Sequence, residues 1–159
     1  MANDNWATPQ KVYDKLNDEF NFCADMAASD QNYKHVNYWT KEDSSLYFDW
    51  CDEYNSMGDF VWCNPPYSNI APWVDKAIDA QFKGLGTVML VMADPSVKWF
   101  AKAQKYASEV RFITEGRLAF LNDGVAQSGN NKGSVFFIFA PKMIGTGITK
   151  YVTRESLIK

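Results

Sequence analysis

The amino-acid sequence predicts an α/β fold in which a mostly parallel sheet is flanked by helices, and three observations carry that prediction. Phe60-Val61-Trp62-Cys63 and Thr87 to Met92 are short continuous apolar runs, the pattern of strands buried on both faces of a parallel sheet. Segments with apolar residues at helical spacing alternate with such runs, as crossover connections between parallel strands require. The chain has 159 residues, enough for one sizeable core, and shows no internal repeat, linker or low-complexity stretch, so residues 1–159 read as a single domain.

Thr8-Pro9 opens the first helix, with the Thr8 hydroxyl as cap and Pro9 at the first helical position, and Val12, Tyr13, Leu16 and Phe20 then fall on one face. Phe20 to Ala24 reads as a short strand with Asp25 at its end. Polarity rises from Asn32 to Asp59, where Val36 to Thr40 is a candidate strand and Glu42, Asp43 and Asp49 are acidic residues in turns. After the Phe60 run, Ser68 or Asn69 caps a helix with Pro72 in its first turn and Trp73, Ala77, Ile78, Gln81 and Phe82 at helical spacing. Gly84 and Gly86 end it. Thr87 to Met92 is followed by Ala93-Asp94-Pro95-Ser96, which turns into a helix through Phe100, Ala103 and Ala107. Val110 to Ile113 and Val135 to Ala140 are further strands. Between them Glu115 to Gly133 is a long polar segment, and a loop of that length in a compact domain is functional or disordered. Beyond Pro141 no pattern is readable.

Composition is that of a water-soluble globular protein somewhat rich in aromatics. No apolar run approaches a membrane span and the polar, acidic start does not read as a signal peptide, so a cytoplasmic home is expected. Cys23, Cys51 and Cys63 are odd in number, lack metal-type spacing and have only His35 as a companion; neither a disulfide framework nor a metal site is predicted. The formal net charge of −3 argues against a general polyanion binder, but the charge is uneven. Residues 1–60 hold 12 Asp/Glu and 4 Lys, a balance of −8, while residues 61–159 hold 7 Asp/Glu and 12 Lys/Arg, a balance of +5. The first part suits a cationic ligand and the second suits phosphates, unless both are ordinary solvated surface.

The densest chemical signal is Asn64-Pro65-Pro66-Tyr67. Pro65 has no N–H to extend the strand and disfavours helix at Asn64, so the chain leaves the sheet there in a stiff extended corner. Such a corner lies at the carboxyl end of a strand, where open α/β sheets bind ligands. The amino group of an aromatic base is a poor nucleophile because its lone pair is delocalised into the ring. Acceptance of both amino hydrogens, by the Asn64 side-chain oxygen and the Pro65 carbonyl, would favour a pyramidal nitrogen with its lone pair free. That interaction strengthens towards the transition state. Tyr67 would offer a flat face to a base turned out of its stack. A plain loop breaker followed by a core aromatic is the alternative for the same residues.

Asn64-Pro65-Pro66-Tyr67 resembles the catalytic motif of amino-group methyltransferases that use S-adenosylmethionine. More of the chain is similar to one group of these, the phage-type Dam-like DNA adenine-N6 methyltransferases. The matching segments are Trp6-Ala7-Thr8-Pro9, Phe22-Cys23-Ala24-Asp25-Met26-Ala27-Ala28, Asn64-Pro65-Pro66-Tyr67-Ser68 followed by Trp73, and Gly116-Arg117-Leu118-Ala119-Phe120. The resemblance implies a Rossmann-like S-adenosylmethionine-dependent fold, and host cytoplasm if the gene is carried by a phage; 159 residues are too few for a separate target-recognition domain beside it. It implies metal-free transfer of a methyl group to the N6 amino group of adenine in duplex DNA, at a short GATC-like site and with base flipping.

By the same resemblance Asn64, Pro65, Pro66 and Tyr67 are catalytic, and Trp6, Thr8, Pro9, Asp25, Asp43 and Asn64 face the cofactor. Each keeps an ordinary alternative: a packed Trp6, a capping Thr8 or Asp25, a solvated Asp43. One departure from the wider class is Met26-Ala27-Ala28-Ser29, which replaces the usual Gly-rich turn. On the DNA side Arg117 and Lys132 are candidates for phosphates, and Asn122, Gln127, Asn130 and Asn131 for base edges. Arg117 could instead brace the fold through a carboxylate. The motif sees only a planar amino group, so enzymes acting on RNA adenine or protein glutamine, and an idle module that binds DNA or cofactor, stay as alternatives.

Overall fold

Side chains that alternate between the two faces of one sheet divide the core in two, and the helices follow that division. The computed structural model describes residues 7–54, 60–122 and 132–159, and residues 125–126 for their backbone pairing alone. Five strands form the sheet: β1 (Phe60–Cys63), β2 (Gly86–Met92), β3 (Glu109–Thr114), β6 (Ser134–Phe139) and β7 (Ile148–Thr153), in the order β1-β2-β6-β3-β7. Between β3 and β6 lies a two-stranded hairpin of β4 (Leu121–Asn122) and β5 (Val125–Ala126). On one face Val61, Cys63, Met89, Val91, Val135, Phe137 and Phe139 pack beneath α2 (Trp50–Tyr54), α3 (Ala71–Lys83) and α4 (Lys98–Tyr106). On the other face Trp62, Val88, Leu90, Phe136 and Ile138 pack beneath α1 (Gln10–Phe20) and α5 (Arg154–Ile158). The result is a mixed α/β architecture with helices on both sides of the sheet.

The sheet is mostly parallel, as expected, with one strand reversed. β1 runs parallel to β2 and β3 parallel to β7, but β6 is antiparallel to both β2 and β3, so one strand of the five opposes the rest. An apolar run reads the same in either direction. What sets the direction is the connection: among its described residues the segment after β3 carries a pair of antiparallel strands and no crossover helix, and the chain re-enters the sheet from the end at which it left.

Several element ends also differ from expectation. α1 runs through Phe20 and stops at Asn21, whose φ of 53° is left-handed; the Asn17 side chain accepts from the Phe22 N–H and closes that end. The strand expected over Phe20 to Ala24 shrinks to a few bonds, Cys23 N–H to Phe60 O, Trp62 N–H to Ala24 O and Met26 N–H to Trp62 O. The candidate strand Val36 to Thr40 is likewise a bridge, with Asp25 parallel to Tyr38 on one side and to Trp62 on the other. Neither Ser68 nor Asn69 caps α3, which begins after Ile70 without a side-chain cap. Phe82 is 54% exposed and outside the core. β7 and α5 follow Pro141; β7 is an edge strand with Ile148, Thr149, Lys150 and Tyr151 exposed, which is why no burial pattern announces it. Among the described residues no helix is long and apolar enough to cross a membrane, and no group of three or more His, Cys, Asp or Glu is placed to hold a metal ion.

Candidate functional site

β1, β2 and β3 leave the sheet at one end and β6 enters from that end, so Asn64, Asp94, Glu115 to Arg117 and Lys132 to Gly133 share it. The Ala93 N–H donates to Gly133 O, and Lys132 Nζ lies 3.5 Å from an Asp94 oxygen, which ties the β2 exit to the β6 entrance. The parallel bridges bring the exits after Asp25 and Tyr38 to the same end.

The corner after β1 is built as its prolines require. Trp62 and Cys63 are buried in opposite cores, Pro65 is buried, and the Asn69 N–H closes a turn on Pro66 O. The Asn64 amide nitrogen donates to the Thr8 hydroxyl at 2.8 Å, across 56 positions of sequence. Asn64 Oδ1 and the Tyr67 hydroxyl are both buried without a hydrogen-bond partner. Burial keeps the Tyr67 phenol well above its ordinary range, so it stays a neutral hydroxyl. The ring of Tyr67 packs against both cores and meets Phe120 edge to face, with centroids 6.0 Å apart.

Thr8 therefore does not cap α1, contrary to the reading of Thr8-Pro9. The N-cap is Pro9, no side chain caps that helix, and the Thr8 hydroxyl faces the Asn64 amide instead. Its position is held by reciprocal bonds between Ala7 and Leu121, N–H to O at 2.6 and 2.8 Å. That pairing brings the amino-terminal segment, the corner and β4 together, with Asn122 next in line. Phe120, a contact of Tyr67, was not singled out as a site residue; its only signal was its place in the Gly116 to Phe120 segment.

Asp25 is 2% exposed, and its two oxygens accept from the backbone N–H groups of Ala27 at 3.2 Å and Lys34 at 3.0 Å. Burial pushes the carboxyl up to about 6, while those two N–H groups and the Lys34 charge pull it back. Asp25 thus organises the turn that follows it, and it does so at a strand end adjacent to the one that delivers Asn64. Asp43 is exposed and accepts both the N–H and the hydroxyl of Thr40 through one oxygen. Asp49 pairs with Lys83 and accepts from Cys51 N–H, which fixes α2 to the end of α3.

Arg117 is exposed beside Gly116, where φ is +129° and an added Cβ would lie 2.7 Å from the Arg154 side chain, so the turn depends on glycine. Trp6, Gln127, Asn130 and Asn131 lie outside the described residues. The described residues also line a cavity of about 440 Å³ elsewhere, among Leu16, Glu19, Arg111, Phe136, Val152 and Leu157. Of the two cations that line it, Lys15 and Arg111, the second is already paired, because Arg111 forks onto Glu19 and also pairs with Glu109. None of the predicted site residues reaches it.

Comparison with known proteins points the same way as the corner. The family described as DNA N-6-adenine-methyltransferase (Dam) matches residues 1–159. A DNA N-6-adenine-methyltransferase of Haemophilus phage HP1 is 38% identical over 144 residues, covering 87% of this chain and 80% of that protein. One from Escherichia phage T1 is 36% identical over 152 residues, covering 85% of this chain and 62% of that protein, so the match spans less than two thirds of the T1 relative.

Proposed function

The chain belongs to the DNA N-6-adenine-methyltransferase (Dam) family, and from that membership and the Asn64 corner we propose that it methylates the N6 amino group of adenine in duplex DNA, within a Rossmann-like fold. The carrying observation is Asn64 Oδ1, a buried acceptor without a partner whose amide nitrogen is already engaged by Thr8. Native structures rarely leave such an atom unsatisfied, and an acceptor at a strand end that meets no protein donor has its lone pairs open to a donor from outside the chain. An adenine amino group is a donor of that kind.

S-adenosylmethionine, the methyl donor that the family implies, supplies an electrophilic methyl on a cationic sulfur that departs as a neutral thioether. The residues present fit it: the Asp25 carboxylate, in the acidic part of the chain, stands at a strand end adjacent to the one that delivers the Asn64 oxygen. Asn64 Oδ1 and the Pro65 carbonyl accept the two amino hydrogens, which leaves the nitrogen lone pair free to form the new N–C bond; one of the two protons is lost to solvent afterwards. The contribution of the two acceptors grows as the nitrogen gains positive charge, and the rest of the acceleration comes from alignment. Tyr67 carries the face of a base turned out of the duplex, with Phe120 backing the ring. A GATC-like target belongs to this reading through the family.

Labelled methyl groups offered with duplex DNA, RNA and protein side by side test it. Incorporation into adenine of duplex DNA is expected, and a fall of about two or more orders of magnitude in Asn64→Ala with folding intact. Methyl transfer to RNA or protein alone, or a folded Asn64→Ala protein with near-normal turnover, would sink the reading.

A further inference from the structure

We infer that Thr8 is a positioning residue which decides the end of the Asn64 carboxamide that faces the reacting amino group; the inference rests on the function proposed above. A carboxamide has two ends of nearly equal size and opposite chemistry, one an acceptor and the other a double donor. Only the oxygen can serve an incoming amino group. With the amide reversed, two sets of N–H donors would oppose each other and the amino hydrogens would have no acceptor on that side.

The geometry selects the useful orientation. Thr8 is 2% exposed, and its hydroxyl accepts from the Asn64 amide nitrogen at 2.8 Å, which leaves Oδ1 as the end of the amide without a partner. Reversal would make the hydroxyl donate to the oxygen and would put the amide nitrogen, with its two hydrogens, in the position that Oδ1 now holds, where it could not accept from an amino group. The hydroxyl is also available for this task, since α1 takes no side-chain cap although a Thr before Pro is an ordinary capping signal. The reciprocal Ala7–Leu121 bonds anchor the residue before Thr8 to the hairpin, so the hydroxyl is placed by tertiary structure and not by a mobile side chain.

The test separates hydroxyl from bulk. Thr8→Val keeps the shape and removes the hydroxyl; kcat for methyl transfer by the folded fraction should fall about ten- to a hundredfold. Thr8→Ser keeps the hydroxyl and should stay within about threefold of wild-type kcat. In the Asn64→Asp background both oxygens accept, so Thr8→Val should there lose far less than in the Asn64 protein. A measurement on the unsubstituted protein needs no variant: one Asn64 side-chain amide proton should exchange slowly with solvent because Thr8 accepts it. Wild-type kcat in Thr8→Val, equal loss in Thr8→Ser and Thr8→Val, or fast exchange of both Asn64 amide protons overturns the inference. An inactive Asn64→Ala with a fully active Thr8→Val rejects the role of Thr8 alone, whereas an active Asn64→Ala rejects the proposed function and the inference with it.

Discussion

The two flanks of β1 are built on different principles. Towards β2, β6, β3 and β7 the sheet is a continuous ladder, with Val88, Met89, Leu90, Val135, Phe136 and Phe137 of its two central strands fully buried between helices. Towards Asp25 and Tyr38 it is reduced to single bridges, and side chains take over the work of holding the chain. The Asp25 carboxylate gathers the Ala27 and Lys34 N–H groups, the Asn37 amide donates to Cys23 O, the Ser45 hydroxyl to Met26 O and the Trp39 indole to the Tyr54 hydroxyl. A ladder uses every backbone group between its strands. A chain held by side chains keeps some of its groups to aim at a ligand, and Asn64 stands on the seam between the two regimes.

The sharpest way to break the comparison is a cavity in the regular flank. Phe137 is fully buried and meets Phe100 edge to face at 5.0 Å and Phe139 at 6.2 Å. Phe137→Ala should destabilise the protein by roughly 3–5 kcal/mol in urea unfolding while the fraction that remains folded binds S-adenosylmethionine as before. A loss of cofactor affinity out of proportion to the loss of stability would mean that the two flanks are one mechanical unit.

Next in size is the corner. Tyr67→Ala should weaken productive base binding by roughly 1–3 kcal/mol, the usual worth of a base on an aromatic face. Tyr67→Phe should be mild, and it also removes a buried hydroxyl that has no partner. Equal damage from Phe and Ala in single-turnover assays would assign the effect to the hydroxyl and leave the flat face without a role.

How far these flanks could be read in the sequence follows from the same physics. β1 and β2 announce themselves because burial on both faces demands uninterrupted apolar residues, and the corner does so because only proline ends a strand so abruptly. The direction of β6 was not readable, since Val135 to Phe139 is equally apolar from either end. β7 was missed because its residues are exposed at an edge. Thr8 was misread for a different reason: local rules see the Pro beside it, whereas the partner it chose lies 56 positions away. Asp25 was flagged at a strand end, but the N–H groups that it gathers depend on a turn that no periodicity marks.

The irregular flank makes a smaller, pH-dependent prediction. Free Asp25 has its carboxyl raised to about 6 by burial, so it is ionised at pH 7 and mostly protonated at pH 5. A cationic group bound beside it favours the ionised form, which lowers the pKa in the complex and couples binding to proton release. Affinity for S-adenosylmethionine should therefore be full above pH 7 and about tenfold weaker at pH 5 by calorimetry, and Asp25→Asn should flatten that dependence. A flat profile in the unsubstituted protein would confine Asp25 to holding its turn.

The smallest expected effect concerns the face that meets DNA, and it extends the comparison to the ends of β3 and β6. A chain of net charge −3 binds a polyanion only through a local basic face, and 12 of its 16 Lys and Arg residues follow residue 60. Arg117 and Lys132 stand at the sheet end that carries Asn64, which makes them our proposed phosphate contacts. Lys132 is 3.5 Å from Asp94, an exposed pairing worth at most about 1 kcal/mol, so a phosphate can compete for it. Removal of either cation should weaken duplex binding on all sequences alike and reduce the slope of log affinity against log salt by about one. Base-edge contacts behave differently, because loss of the Asn122 side chain should alter sequence preference and leave the slope unchanged. Measuring affinity against salt for Arg117→Ala and Lys132→Ala decides the matter. Slopes unchanged in both, with stability lost in Arg117→Ala, would make Arg117 a brace of the turn at Gly116 and move the DNA face away from the β3–β6 connection.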